Sequence, residues 1–301
     1  MELPKQYVDL PLKKNVLALF IIQLRPKQWT KNLLVFAALL FSLKYANFYM
    51  FSKAIVAFFL FCFVSGCVYI LNDFVDREAD RKHPEKKYRP MASGVLNPYI
   101  AILFGVVLLA FSLIVAYYFN PLFSLVLCIY FTLNVAYSFR LKHIVILDIM
   151  IIASGFVFRA IGGGLVINVP LTPWFLLCTM LLALFLAISK RRHELYLLEN
   201  SRGKHRKVLE QYSSQLLNQL NSIVTTATII SYALFTFTSG HTIYLMWTIP
   251  LVIYGIFRYL YLIHMKDKGG SPEKVLLEDK HILLTVLLYG ISVAGILFFL
   301  E

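Results

Sequence analysis

The sequence predicts an all-α, polytopic membrane protein with about nine transmembrane helices, forming one domain over residues 1–301. Three observations lead there. Of the 301 residues, 59% are hydrophobic and only 15% are charged, whereas soluble domains sit nearer half and about a quarter. The apolar residues fall into stretches of about 17–25 residues, the length that crosses a bilayer core as helix. The cations gather in alternate connections between those stretches, as the positive-inside rule requires.

The nine stretches run roughly over 28–46, 52–74, 97–118, 121–140, 143–166, 172–190, 222–239, 243–264 and 282–300. The first has the weakest helical signal, because it starts on a basic segment interrupted by Pro26. The segment up to Lys31 holds six Lys and Arg, the connection 72–96 six, 140–142 two, 190–221 seven and 265–281 four. The other side carries only Lys44 and Lys53. This asymmetry places the N-terminus in the cytoplasm and the C-terminus outside, in a multi-pass plasma-membrane protein. Residues 1–14 are polar and no small-residue cleavage site follows, so no cleavable signal peptide is expected.

The net charge of +13 does not point to nucleic acid, because the cations lie between apolar spans and not on one soluble face. Cys62, Cys67, Cys128 and Cys178 all fall inside apolar runs, without a CxxC pair. They read as small buried hydrophobes, and structural zinc is not expected. The histidines are scattered and no HExxH occurs. Nothing in the composition opposes a homo-oligomer.

The richest stretch is NDFVDREADRKHPEKKYRPMASG, Asn72 to Gly94, at the end of the second span. Continued as helix at ~100° per residue, it puts Asn72, Asp73, Asp76 and Asp80 within one arc of ~100°, with Glu78 pointing elsewhere. Like charges four residues apart repel, and more so near lipid. A Mg²⁺ ion reverses that sign, since hard carboxylate oxygens suit it and substrate phosphates complete its shell. Asn72, Asp73, Asp76 and Asp80 are therefore candidate metal ligands for a diphosphate site. The plain alternative is a helix end whose acids pair with Arg77, Arg81 and Lys82. The cations that follow, including Lys86, Lys87 and Arg89, either fold back to stabilise a leaving pyrophosphate or form an ordinary cytoplasmic loop.

Other segments offer further groups. In RPKQWTKN, Arg25, Lys27 and Lys31 either bind phosphate or flank an interfacial Trp29. In YSFRLKHIVILD, Tyr137, Arg140, Lys142 and Asp148 occur together, and Asp148 lies inside the fifth span, where a carboxylate is a functional candidate; a structural ion pair is the alternative. Arg159 lies on nearly the same face but ~16 Å deeper, too far to reach Asp148. Gly162-Gly163-Gly164 is a helix end or a close-packing point. In SKRRHEL, Lys190, Arg191 and Arg192 either hold phosphates or are ordinary cations at the cytoplasmic end of a span, and Glu194 is a candidate for holding a metal or orienting a cation.

Taken together, these segments resemble the UbiA superfamily of intramembrane prenyltransferases, whose first aspartate-rich motif looks like Asn72-xxx-Asp76-xxx-Asp80. The closer likeness is to its decaprenyl-phosphate phosphoribosyltransferase branch. It is carried by LRPKQWTKNLLVFAALLFS, by the Asn72–Gly94 stretch, by YSFRLKHIVILDIMIIASGFVFRAIGGG, by SKRRHEL and by GGSPEKVLLEDK, spread over residues 24–280. The resemblance implies helices around a central cavity and a Mg²⁺-dependent reaction. A polyprenyl phosphate attacks C1 of phosphoribosyl diphosphate (PRPP) at the cytoplasmic face and pyrophosphate leaves. It implies Asp73, Asp76, Asp80, Asp148 and Lys190 as catalytic candidates. Lys27, Lys31, Asn72, Lys87, Arg89, Tyr137, Lys142 and Arg191 are substrate-binding candidates. Aromatic prenyltransferases of the superfamily usually carry a second DxxxD motif, but here Ile152 stands four residues after Asp148. The rival readings are a prenyltransferase of the same superfamily that moves a prenyl group from a prenyl diphosphate to an aromatic or other acceptor, and a membrane transporter whose cytoplasmic acids bind a cation.

Overall fold

The structure is a computed structural model. It describes residues 15–42, 45–83, 86–200, 207–266, 275, 276 and 278–300, without the side chains of 197–200 and 207. The polar N-terminal segment 1–14, Pro84 and most of GGSPEKVLLEDK lie outside the described residues.

Helices dominate. They are α1 (Val16–Gln23), α2 (Ala37–Leu40), α3 (Phe48–Val75), α4 (Arg77–Arg81), α5 (Pro98–Phe119), α6 (Pro121–Phe139), α7 (Leu147–Ile167), α8 (Pro173–Asn200), α9 (Ser214–Thr238), α10 (Ile249–Met265) and α11 (Lys280–Phe299). Among the described residues, eight helices are long and apolar enough to cross a membrane. They correspond to all the expected spans but the first. There the chain forms a 3₁₀ helix over Pro26–Phe36 and then the four-residue α2. The reason is compositional. Pro26 opens the segment, Lys27, Gln28, Lys31 and Asn32 follow, and the purely apolar stretch that remains is too short to span as α-helix.

Side chains set the helix starts. Asn97 accepts hydrogen bonds from the Tyr99 and Ile100 amides, with Pro98 at the first helical position of α5. Ser213 caps α9 by accepting from Leu216, and Asp279 caps α11 by accepting from Ile282. These are standard N-cap choices, each satisfying an amide that the helix leaves unpaired.

The described residues divide into two compact units, one within 15–33 and 55–138, the other within 34–54 and 139–300. In the first, Leu19, Leu24, Ile70, Met91 and Leu96 form a buried cluster, which fixes the end of α1 beside the end of α3. The faces of α5 and α6 that carry Leu103, Val106, Phe111, Leu122 and Leu125 are exposed, as surfaces in contact with lipid are. In the second unit α8 packs along α9 and against α7. Ile149, Phe185, Ile188, Leu217 and Tyr259 belong to its main core.

The triple glycine is not a helix end, because α7 continues to Ile167. Gly162, Gly163 and Gly164 are buried, and a Cβ added at Gly163 would sit 2.1 Å from the Val35 carbonyl oxygen. Backbone cannot yield as a side-chain tip does. Gly163→Ala is therefore expected to destabilise the protein by roughly 1–3 kcal/mol, the usual cost of overpacking. A thermal unfolding curve indistinguishable from wild type would refute this close approach.

Candidate functional site

The first unit gathers acids and guanidiniums at the end of α3. The helical hydrogen-bond pattern survives the junction between α3 and α4: Asp76 N–H donates to the Asn72 carbonyl and Asp80 N–H to the Asp76 carbonyl. Asp73 and Asp80, seven residues apart, thus share a face. Both are 3% exposed, and the chain supplies cations to both. Arg89 Nη1 donates to Asp73 Oδ1 at 2.9 Å and to Asp80 Oδ2 at 2.6 Å. Arg25 Nη2 also donates to Asp73 Oδ1, and Gln23 Nε2 donates to Asp73 Oδ2. Lys86 Nζ lies 4.0 Å from Asp80 Oδ1. Burying a carboxylate is costly unless it is paired and hydrogen-bonded, and these contacts meet that requirement.

Two local features make the cluster. Arg25, just before Pro26, has φ +53°, an uncommon conformation for a non-glycine residue. It reverses the chain between α1 and the 3₁₀ helix, so Gln23 and Arg25 both reach Asp73. The Arg25 guanidinium also lies over the Tyr69 ring, 4.6 Å from its centre. The loop after α4 then folds back: Arg81 Nε donates to the Ala92 carbonyl, and the return brings Arg89 onto the acids. Glu78 stands apart, exposed and paired with Arg77 and Arg81.

Asp76 and Asn72 are half-buried, and their side chains have no hydrogen-bond partner among the described residues. No three acids, histidines or cysteines there form a ready-made cage. Mg²⁺ does not use such cages. It takes one or two carboxylates and fills its shell with water and substrate phosphates. The hard oxygens of Asp76 and Asn72, beside Asp80 and Asp73, fit a divalent cation of that kind.

The second unit holds a different cluster. Asp148, in the first turn of α7, is fully buried. Arg191 Nε on α8 donates to its Oδ2 at 2.6 Å, and the Tyr212 hydroxyl donates to its Oδ1 at 2.7 Å. Arg191 is 2% exposed and also pairs with Glu194 three residues on. The Tyr212 hydroxyl accepts the Ile146 N–H at 2.8 Å. Ile146 has φ +70°, an outlier for a β-branched residue that costs of order 1–3 kcal/mol and persists only where its surroundings hold it. Burial first, and the bond to Asp148 second, raise the Tyr212 pKa above the ordinary phenol value. The hydroxyl therefore remains a proton donor at neutral pH.

The remaining candidates are spread. Lys27 is exposed and Lys31 half-buried on the 3₁₀ helix; Lys87 is exposed, with Nζ 5.1 Å from the Tyr88 ring centre. Tyr137 is half-buried at the end of α6 in the first unit. In the second, Lys142 is half-buried on the turn before α7, and Lys190 is half-buried on α8. Arg159, 6% exposed, donates to the Gly155 carbonyl at 2.7 Å and lies over the Phe156 ring. Gln23 and Tyr212 had no sequence signal of their own. The one available hint was position: Tyr212 immediately precedes the cap of α9, where an anchoring residue often sits.

Comparison with known proteins places this architecture. "Decaprenyl-phosphate phosphoribosyltransferase" of Mycolicibacterium smegmatis is 34% identical over 301 residues, covering 95% of this chain and 94% of the relative. The protein of that name from Corynebacterium glutamicum is 38% identical over 277 residues, covering 89% and 83%. A solved UbiA homolog from Archaeoglobus fulgidus, bound to GPP and Mg2+, superposes with a TM-score of 0.70 at 21% identity, covering 92% of this chain and 99% of that one. Residues 33–284 match the UbiA prenyltransferase family, and the chain belongs to that family.

Proposed function

We propose that the chain is a single membrane transferase that moves 5-phosphoribose from phosphoribosyl diphosphate to a polyprenyl phosphate and releases pyrophosphate, with Mg²⁺ as its cation. The observation that carries this reading is the 34–38% identity, over most of both chains, to relatives named decaprenyl-phosphate phosphoribosyltransferase.

The chemistry asks little proton transfer of the protein. A phosphate monoester is already anionic near neutral pH, so its oxygen attacks C1 of the ribose without a strong base. The C1–O bond to pyrophosphate breaks, and charge develops on the leaving group. Stabilising that charge is the main task. When bound, a divalent cation supplies Lewis-acid charge to the departing oxygens. Asn72, Asp76 and Asp80 are the residues that would hold it; Asp73, expected from the sequence as a fourth holder, has both oxygens engaged by Gln23, Arg25 and Arg89 and instead anchors those side chains beside the site. Arg89, 22% exposed at its side chain, is the guanidinium within reach of both the acids and a diphosphate beside them. Arg25 and Gln23 hydrogen-bond Asp73 and orient it. Lys27, Lys31, Lys87, Tyr137, Lys142 and Lys190 are the further candidates for substrate phosphates. Arg191, occupied by Asp148 and Glu194, orients α8 in this reading.

The test is labelled phosphoribosyl diphosphate given to purified protein with polyprenyl phosphate, with and without Mg²⁺. A labelled, Mg²⁺-dependent lipid product is expected. Turnover of a prenyl diphosphate instead, with no labelled lipid, overturns the reading; solute flux in sealed vesicles without a covalent product indicates a transporter. The cations at 72–96, 140–142, 190–221 and 265–281 support reaction at the cytoplasmic face of the plasma membrane and, after the last of the eight spans, a C-terminus outside; an N-terminus inside requires the segment 26–41 to cross as well. A phosphatase fused after Glu301 is then expected to be active, and a fluorescent GFP fusion at the same point refutes that orientation.

A further inference from the structure

Asp148 is the acid that the sequence leaves without a partner acid, since Ile152 occupies the position four residues on. Its surroundings show what it does instead. Both of its oxygens are engaged: Oδ2 by Arg191 Nε at 2.6 Å and Oδ1 by the Tyr212 hydroxyl at 2.7 Å. The carboxylate is fully buried, the guanidinium 2% exposed and the tyrosine 5% exposed. A hard cation needs carboxylate oxygens with open approach and room for water or phosphate. This carboxylate offers neither, so the second acid position does not fit a divalent cation.

The same contacts join three segments that are distant in sequence. Asp148 belongs to the first turn of α7 and Arg191 to the far part of α8, and Tyr212 precedes α9. Tyr212 contributes twice, because its oxygen also accepts the N–H of Ile146 at 2.8 Å. That bond holds Ile146 at φ +70°, where an isoleucine does not settle unaided. The phenol thus fixes both the entry into α7 and the direction of the carboxylate. The carboxylate then fixes Arg191, and with it the rotation of α8 at Lys190, one residue earlier and half-buried.

We propose that Tyr212 is a positioning residue for the transfer reaction, acting through Asp148 and Arg191, and that Asp148 serves this guanidinium and phenol, not a metal ion. The kinetic part of this inference rests on the phosphoribosyl-transfer reading; the metal part does not.

The experiment compares wild type, Tyr212→Phe and Asp148→Asn, each as the full chain in detergent. For Tyr212→Phe, which keeps the ring and removes only the hydroxyl, kcat is expected to fall about 10-fold or more while KM for each substrate stays within about 2-fold. Misplacement of a prearranged group costs turnover, not ground-state binding. An unchanged kcat, with or without a raised KM, overturns the positioning role. Mn²⁺ alone, counted by electron paramagnetic resonance, is the probe for the second part. Asp148→Asn and Tyr212→Phe are both expected to bind as many Mn²⁺ ions as wild type; loss of one ion in Asp148→Asn overturns the assignment. Tyr212→Phe leaves the ion pair intact and decides the positioning part by itself; should Asp148→Asn fail to fold, the double variant Asp148→Leu with Arg191→Met carries the Mn²⁺ count instead. A wild-type protein that makes no phosphoribosyl lipid refutes the proposed function, yet the Mn²⁺ count still settles what Asp148 holds.

Discussion

Asp80→Asn is expected to lower kcat by at least ~10²-fold, about 2.7 kcal/mol of transition-state stabilisation, while the protein still folds. The two effects separate because of what surrounds Asp80. Its carboxylate is joined by Arg89 at 2.6 Å and, more distantly, by Lys86 at 4.0 Å. An amide in its place still accepts a hydrogen bond, and Arg89 keeps its second anion in Asp73. The loss in stability is then that of weakening one charge-assisted bond, on the order of 1 kcal/mol. The function loses far more, since the substitution removes a full negative charge from the face that would hold a cation. Asp76→Asn is expected to show the same drop in activity with still less change in unfolding, because Asp76 has no side-chain partner among the described residues. Asp73→Asn differs: Gln23, Arg25 and Arg89 all converge on it, so stability and activity fall together. The labelled-lipid assay beside a thermal unfolding curve reads both quantities. Wild-type turnover in Asp76→Asn and Asp80→Asn would remove the acids of α3 and α4 from the reaction.

The long helices were legible in the sequence because a membrane span is specified by composition over some twenty residues, and no tertiary detail is needed to see it. The start of the chain was less so. Whether Pro26–Leu40 forms one long helix or a 3₁₀ helix and a short turn depends on a few polar residues and on the left-handed Arg25, for which the following proline is only a weak signal. Spacing put Asp73 and Asp80 on one face, and the structure joins both to Arg89 through the returning loop. Partner choice was beyond the sequence. Gln23 is 50 residues from Asp73, Arg191 is 43 from Asp148, and Tyr212 is 64 from it. At such separations, charge and periodicity name the ionisable groups but not their pairs. That is why Arg191 read as a phosphate ligand although a buried carboxylate and Glu194 occupy it. Tyr212, one of 18 tyrosines, bears no charge at all, and its role rests on where its oxygen sits.

Arg191→Ala is expected to be the most destabilising single substitution in the second cluster, costing about 3–5 kcal/mol. The cost comes from what the substitution leaves behind. In the intact protein the Asp148 charge is answered by a guanidinium and a phenol inside a region without solvent contact. Without Arg191 one hydrogen bond remains and the charge has no partner, which is the situation in which breaking a buried ion pair is expensive. Glu194, 27% exposed at its side chain, keeps water for company, so Glu194→Ala is expected to cost no more than about 1 kcal/mol. If the penalty comes from an unanswered charge, removing both charges must recover much of it. Arg191→Met with Asp148→Leu is therefore expected to unfold at a higher temperature than Arg191→Ala alone, since apolar replacements of similar volume often match a buried pair. Unfolding of membrane proteins is frequently irreversible, so rates of unfolding at a fixed temperature are the safer comparison. A double variant no more stable than Arg191→Ala would mean that the lost packing of the arginine stem, and not the stranded Asp148 charge, sets the cost. The ion pair would then be a consequence of how α7 and α8 pack and not a cause of it.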